Sequence, residues 1–229
     1  MTENQAVQQK SVRRNRVAAA AACFAAALIT VGVVGTPSAT ADGAAQGAAR
    51  PAAVAAPAPG LGSAALVQSE DAVRQGLNPV GATVVLTGRQ GLSACSGEET
   101  MRDLTEGRAT AYASVAWTFD TDGLLTESAA SAPTGAEAAT WEKQLVALVQ
   151  DCQDEPAGHW HYGAAHTLTV PGGTARWYPA YSGDGVAGGG VAVLRSGSKV
   201  AVVELTGRAA GAPNSVEGIA TAALKRLSS

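Results

Sequence analysis

The chain has 229 residues, 46% of them hydrophobic and 15% charged, with a formal net charge of −3. That apolar content supports a packed core of ordinary kind. With 16 basic residues against 19 acidic ones there is no cationic patch to neutralise phosphates, so nucleic acid is excluded as a partner.

Residues 1–41 read as a secretion signal. Arg13, Arg14 and Arg16 form a basic n-region, an apolar run follows over 17–34, and Pro37 breaks it. Ala39-Thr40-Ala41 then places small residues at the −3 and −1 positions of a peptidase site, so cleavage falls before Asp42. Left uncleaved, the run over 17–34 has just the length of a single membrane anchor, and this is the only membrane contact the sequence offers. Asn15 and Arg16 stand where a twin-arginine signal carries bulky apolar residues, which favours ordinary secretion. Cys23 follows an Ala20 where a lipoprotein signal has Leu, and reads as a small apolar residue inside the signal helix. The expected location is therefore extracellular or wall-associated, with the anchored form as the alternative.

Residues 42–62 are mostly Ala, Pro and Gly with a single Arg, and Pro51, Pro57 and Pro59 favour extended chain, so they read as a semi-rigid linker. Residues 63–229 remain, enough for one domain with a real core and short of two. Removing the four basic and one acidic residues of the signal from the totals of 16 and 19 leaves 12 and 18, so the exported chain is net acidic.

Within the domain, 65–75 reads as a short helix closed by Gly76. A strand is expected over 83–87 and a longer one over 109–119, where Ala113, Val115, Trp117 and Phe119 alternate with Tyr112, Ser114, Ala116 and Thr118. Asp120-Thr121-Asp122-Gly123 turns the chain, with too few oxygens for calcium. The clearest helix covers about 135–150: Thr134 and Glu137 have capping-box spacing, and Trp141, Leu145, Leu148, Val149 and Cys152 form one stripe. A hairpin around Gly163-Ala164-Ala165 is expected over 159–170. The aromatic strand at 175–181 contains Pro179, which argues for an edge position. The apolar runs 191–195 and 200–205 read as paired central strands, and a helix over 215–227 closes the chain. These parts assemble as an α+β domain, an antiparallel sheet of about five to six strands with two or three helices packed on one face.

Two cysteines remain after processing, Cys95 and Cys152. In an oxidising compartment an isolated pair reads as a disulfide, and two distant thiols are too few for a metal. Closing so long a loop stabilises by about 4 kcal/mol in the chain-entropy model.

The order of parts, with Leu66-Val67-Gln68-Ser69-Glu70-Asp71, Cys95, the Trp141, Leu145 and Cys152 spacing and Val200-Ala201-Val202-Val203-Glu204-Leu205, resembles the extracellular sensor domain of actinobacterial serine/threonine kinases of the PknH type. It also resembles exported single-domain relatives of that sensor. The resemblance covers about 66–227. The sequence has no second cysteine pair and no kinase domain, so sensing coupled to phosphorylation is not carried over. What the resemblance implies is a non-catalytic envelope domain that binds something in a cleft of its sheet.

No catalytic signature accompanies this. There is no G-x-S-x-G, and the S-x-x-K spacing of Ser196-Gly197-Ser198-Lys199 falls in the turn that joins two expected strands, where it reads as a connection rather than a nucleophile motif. Glu98-Glu99 reads as a solvated pair, and the glycine-rich 183–190 reads as a mobile loop, since a strand rather than a helix follows it. All three histidines lie in 159–166, and His159 and His161 share one strand face. In the expected hairpin Tyr162 opposes His166 and Trp160 opposes Leu168, so the imidazoles do not converge and metal binding is disfavoured. The aromatic concentration around Trp160, Tyr162, Trp177, Tyr178 and Tyr181 gives the candidate ligand site: Arg176, Trp177, Tyr178 and Tyr181, with Arg176 orienting an anionic group. No cofactor is expected, and the partner is a small molecule or an envelope protein. The alternatives are a secreted hydrolase without a recognisable motif and a histidine-based metal-binding protein.

Overall fold

The computed structural model describes residues 61–93, 95–207 and 213–229. The expected signal over 1–41, its apolar run 17–34 and nearly all of the expected linker 42–62 lie outside the described residues. No described helix is long and apolar enough to cross a membrane. Leu61, the first described residue, is buried, two residues ahead of the expected start of the domain.

The chain opens with a single 3-10 turn, Ser63–Ala65, and helix α1, Ser69–Arg74. This is shorter than the expected 65–75 because Leu66 and Val67 are extended and buried, and because a capping box between Gln68 and Asp71 starts the helix at Ser69. Strand β1, Pro79–Val85, begins earlier than expected, and a four-residue helix α2, Met101–Leu104, follows. Then come β2, Ala111–Phe119, and β3, Leu124–Ser131, around the expected turn. Helix α3, Gly135–Gln150, has its predicted cap, with Thr134 Oγ1 accepting the Glu137 N–H at 3.2 Å. The remaining elements are β4, His161–Tyr162; β5, His166–Val170; β6, Gly173–Tyr181; β7, Ala187–Ser196; β8, Lys199–Thr206; and α4, Pro213–Leu227.

The strands form one eight-stranded sheet in the order β1-β2-β3-β8-β7-β6-β4, with β5 also on β6, and every neighbouring pair is antiparallel. The fold is therefore α+β on an antiparallel sheet, with more strands than expected. The helices do not share a face. Val115, Leu125, Ala192, Leu194 and Val203 form a core with α4 and the α1 region. Their neighbours Ala130, Val191, Val193, Val200 and Val202 form a second core with α2 and α3. The central runs Val191–Leu194 and Val200–Val203 are apolar at every position, so both faces need cover, as in strands buried on two sides.

Two local expectations are corrected. Strands β4 and β5 do not pair with each other: His161 and Tyr162 pair with Tyr181 and Ala180, and His166 pairs with Trp177, all on β6. They lie end to end along one edge, interrupted at 163–165 opposite Pro179, which has no N–H to offer a ladder. Pro179 is accordingly not on an edge strand, since β6 has partners on both sides, and the ladder to β7 also shifts between Pro179 and Tyr181. The glycine run is not wholly a loop either, because β7 starts at Ala187. A Cβ on Gly189, at φ 109°, would fall 1.9 Å from the Leu205 carbonyl oxygen, so this residue lets the two backbones approach.

Candidate functional site

The four residues Arg176, Trp177, Tyr178 and Tyr181 sit on β6, where alternation divides them between the two faces. Trp177 is buried toward α4 and stacks on His166, with centroids 4.2 Å apart. Tyr181 is half-buried and stacks on His161 at 5.7 Å. Tyr178 is buried on the α3 side, and its hydroxyl has no hydrogen-bond partner. Burial pushes that phenol's pKa up, against the pull of the nearby Arg176 guanidinium. Arg176 itself is exposed. These side chains do not converge on one cleft.

The histidines are similarly dispersed. His159 lies 3.7 Å from Glu155, His161 Nδ1 lies 3.1 Å from the His159 carbonyl oxygen, and His166 is held by the Trp177 ring. The expected facing of Tyr162 with His166 does not form. Among the described residues no group of three or more histidine, cysteine, aspartate or glutamate side chains is arranged to hold a metal ion.

The expected disulfide is present: Cys95 and Cys152 are bonded, with Cα atoms 6.0 Å apart. It ties the end of α3 to the tip of a loop that leaves β1 and returns to α2. That loop closes on itself at its base, through Leu92 N–H to the Glu99 carbonyl at 3.1 Å and an antiparallel bridge between Gly91 and Thr100. Beneath it, Tyr162 donates a short hydrogen bond to Glu204 in the α3-side core, and Ser128 Oγ is buried without a partner. Burial first, and then Glu204, raise the Tyr162 phenol far above its ordinary pKa, so it remains a donor.

The loop base and α2 together line an open pocket of about 740 Å³, bordered by Arg89, Thr100, Arg102, Asp103, Glu106 and Gly107. Several of the residues around it rest on the buried ring of Tyr112. Thr105 Oγ1 lies 2.7 Å from the Tyr112 hydroxyl, and the Arg102 guanidinium sits over the ring, 5.9 Å from its centroid. Gly88, at φ 69°, lies against the same ring, where a Cβ would come within 2.5 Å of a ring carbon. Its carbonyl accepts the Arg102 N–H at 2.9 Å, which brings Arg89 and Arg102 to the same place. At the far side, Glu106 occupies the left-handed region at φ 52°, the one non-glycine residue to do so among the described residues.

The charges in this pocket are unequally committed. Asp103 closes a capping box with Thr100, accepting its N–H at 3.3 Å and its hydroxyl at 2.6 Å. Glu106 lies 3.6 Å from Arg108, which in turn reaches Glu137 at 3.7 Å. Neither Arg89 nor Arg102 has a carboxylate partner among the described residues. A second depression, of about 480 Å³ between α1 and α4, differs in this respect. There Arg226 binds Asp71 and Glu70, and Arg74 binds Asp71 at 3.0 Å, so its guanidinium groups are neutralised.

Sequence reasoning missed Arg89 and Arg102. Thr100-x-x-Asp103 has the capping spacing that would have placed α2. The meeting of the two arginines, by contrast, depends on the Gly91–Thr100 bridge and has no local signature.

No family model matches the chain, and no curated protein matches it. Among solved structures, the chain is similar to the extracellular domain of PknH from Mycobacterium tuberculosis, with a TM-score of 0.44 and 15% sequence identity over 72% of this chain and 93% of that one.

Proposed function

We propose that this chain is an extracytoplasmic, non-catalytic binding domain that takes a small ligand in the pocket between the Cys95 loop and α2. The observation that carries the reading is that pocket: about 740 Å³, a size suited to a small molecule, with two guanidinium groups that no carboxylate neutralises among the described residues. The Cys95–Cys152 bond supports an oxidising compartment, in keeping with the signal expected over 1–41. The pocket lining contains no serine, cysteine or histidine, and its one hydroxyl–carboxylate pair, Thr100 and Asp103, is engaged in the cap of α2, which favours binding over covalent chemistry.

The test has two parts. The native mass of the protein recovered from its culture supernatant is expected to match a chain beginning at Asp42 and lacking two hydrogens, with or without a retained ligand. Amide chemical shifts of the same material, titrated with a set of small metabolites, are expected to move at 88–89 and 100–107. Turnover of ester, amide or glycoside substrates, lost on substituting a residue of this pocket, would replace the binding reading with a hydrolytic one.

A further inference from the structure

We infer that the pocket is an anion site in which Arg89 and Arg102 together hold a small oxyanion of two or more negative charges, a phosphate or a polycarboxylate. This assignment of ligand class rests on the binding reading above. It follows from how the four charged groups of the lining are engaged. Both carboxylates have partners already, Asp103 in the helix cap and Glu106 beside Arg108. Arg89 has no hydrogen bond or ion pair to any described residue. Arg102 has only the face of the Tyr112 ring, which orients its guanidinium while leaving its N–H donors unused.

Planar guanidinium forks match the paired oxygens of carboxylate and phosphate, and two of them lining one depression suit an oxyanion better than a neutral or cationic ligand. The site is also preorganised. Gly88 and Thr105 fix the Tyr112 ring from either side, the Gly88 carbonyl fixes the start of α2, and the Gly91–Thr100 bridge closes the loop that carries Arg89. Burial of the backbone at Gly88 beneath an exposed Arg89 explains why a glycine stands immediately before the arginine: only there does the chain turn onto the ring and present the next side chain to the pocket.

The experiment is an amide-shift titration of the disulfide-bonded protein with inorganic phosphate and with citrate, at matched ionic strength using chloride. Saturable shifts are expected at 88–89, 100–107 and Tyr112. Arg89→Ala and Arg102→Ala are each expected to weaken binding about tenfold or more, and Arg102→Lys to weaken it while the charge is kept. Arg74→Ala, in the other depression, is expected to leave it unchanged. Thermal melts confirm that each variant is folded. Phosphate and citrate separate an inorganic from an organic ligand: tighter phosphate binding assigns the former, tighter citrate the latter. A fragment without negative charge that shifts these residues equally in the parent and in Arg89→Ala would overturn the anion assignment and leave the binding reading standing. If no probe of any charge shifts them, both fall.

Discussion

Glu127 is a carboxylate where the sheet has no water to offer. It is fully buried on the α4-side face of β3, its Oε2 accepts the Val67 N–H at 2.6 Å, and its Oε1 has no partner. Burial pushes its pKa up to about 8, against the pull of the Val67 N–H, with the nearby Asp71 charge adding to the rise. The folded protein therefore keeps this proton over a range in which the unfolded chain has lost it. Stability from Glu127 is fully present below its ordinary value of 4.5 and is lost as pH rises toward 8, by up to about 1.4 kcal/mol per pH unit. Asp71 acts oppositely: burial raises its pKa, but Arg226 and the Gln68 N–H outweigh that and hold it below its ordinary value, so its contribution is lost on acidification. Glu127→Gln keeps an acceptor for Val67 and removes the titration. Urea midpoints between pH 5 and pH 8 are expected to fall steadily in the parent and to stay nearly level in Glu127→Gln. Equal slopes in the two proteins would mean that Glu127 is already ionised in the fold.

Gly88 illustrates a residue whose role could not be read locally. In sequence it is one glycine among 27; in the fold a Cβ would press within 2.5–2.9 Å of three Tyr112 ring carbons, at a backbone angle of 69° that side chains resist. Gly88→Ala is expected to lower stability by about 2 kcal/mol through that strain and contact. It should also weaken anion binding, since the ring it displaces orients Arg102. A variant with an unchanged urea midpoint would show that the ring yields freely.

At the scale of elements, the parts legible in the sequence were those whose burial pattern is periodic. In α3, Trp141, Leu145 and Val149 are buried as the stripe requires, and in α4 so are Val216, Ala220, Ala223, Leu224 and Leu227. Strand β2 sends Ala113, Val115, Trp117 and Phe119 to one core, as read, and β7 and β8 pair through their apolar runs. What was missed lacks such a pattern. Strand β3, with Thr126, Glu127, Ser128 and two alanines at its centre, has little intrinsic preference for a strand; it is one because β2 and β8 flank it on both sides. Pro179 suggested an edge because one strand cannot reveal that the ladder is interrupted opposite it on one side and shifts register beside it on the other. The four residues expected to share a ligand site do not converge for a related reason. Trp177 and Tyr178 are adjacent in sequence, and adjacency on a strand sends side chains to opposite cores. The pocket at Arg89 and Arg102 was hidden because its two halves come from either end of a loop.

At the scale of the whole molecule, one sheet separates two cores, and the covalent tether belongs to only one of them. The Cys95–Cys152 bond joins residues 57 apart in sequence on the α3 side, while α4 and its core are held without any cross-link. Opening it relieves the unfolded chain of a constraint worth about 4 kcal/mol in the chain-entropy model. The local consequence is larger than the global one for the loop itself. Leu92 is buried in the α3-side core and Cys95 packs against that core, while the loop's own backbone bonds, such as Leu92 N–H to Glu99 and Glu99 N–H to Ser96, close it on itself. Hydrogen exchange of the oxidised and reduced proteins should therefore differ by region. Amides of 92–99 are expected to lose nearly all protection on reduction, whereas those of 216–227 should fall only by the global change in stability. Because Arg89 stands at the base of that loop, phosphate or citrate binding should weaken in the reduced protein while α4 stays folded. Loop amides that keep their protection after reduction would place the restraint in Leu92 and the bridge at Gly91, and would sever the link between the disulfide and the pocket.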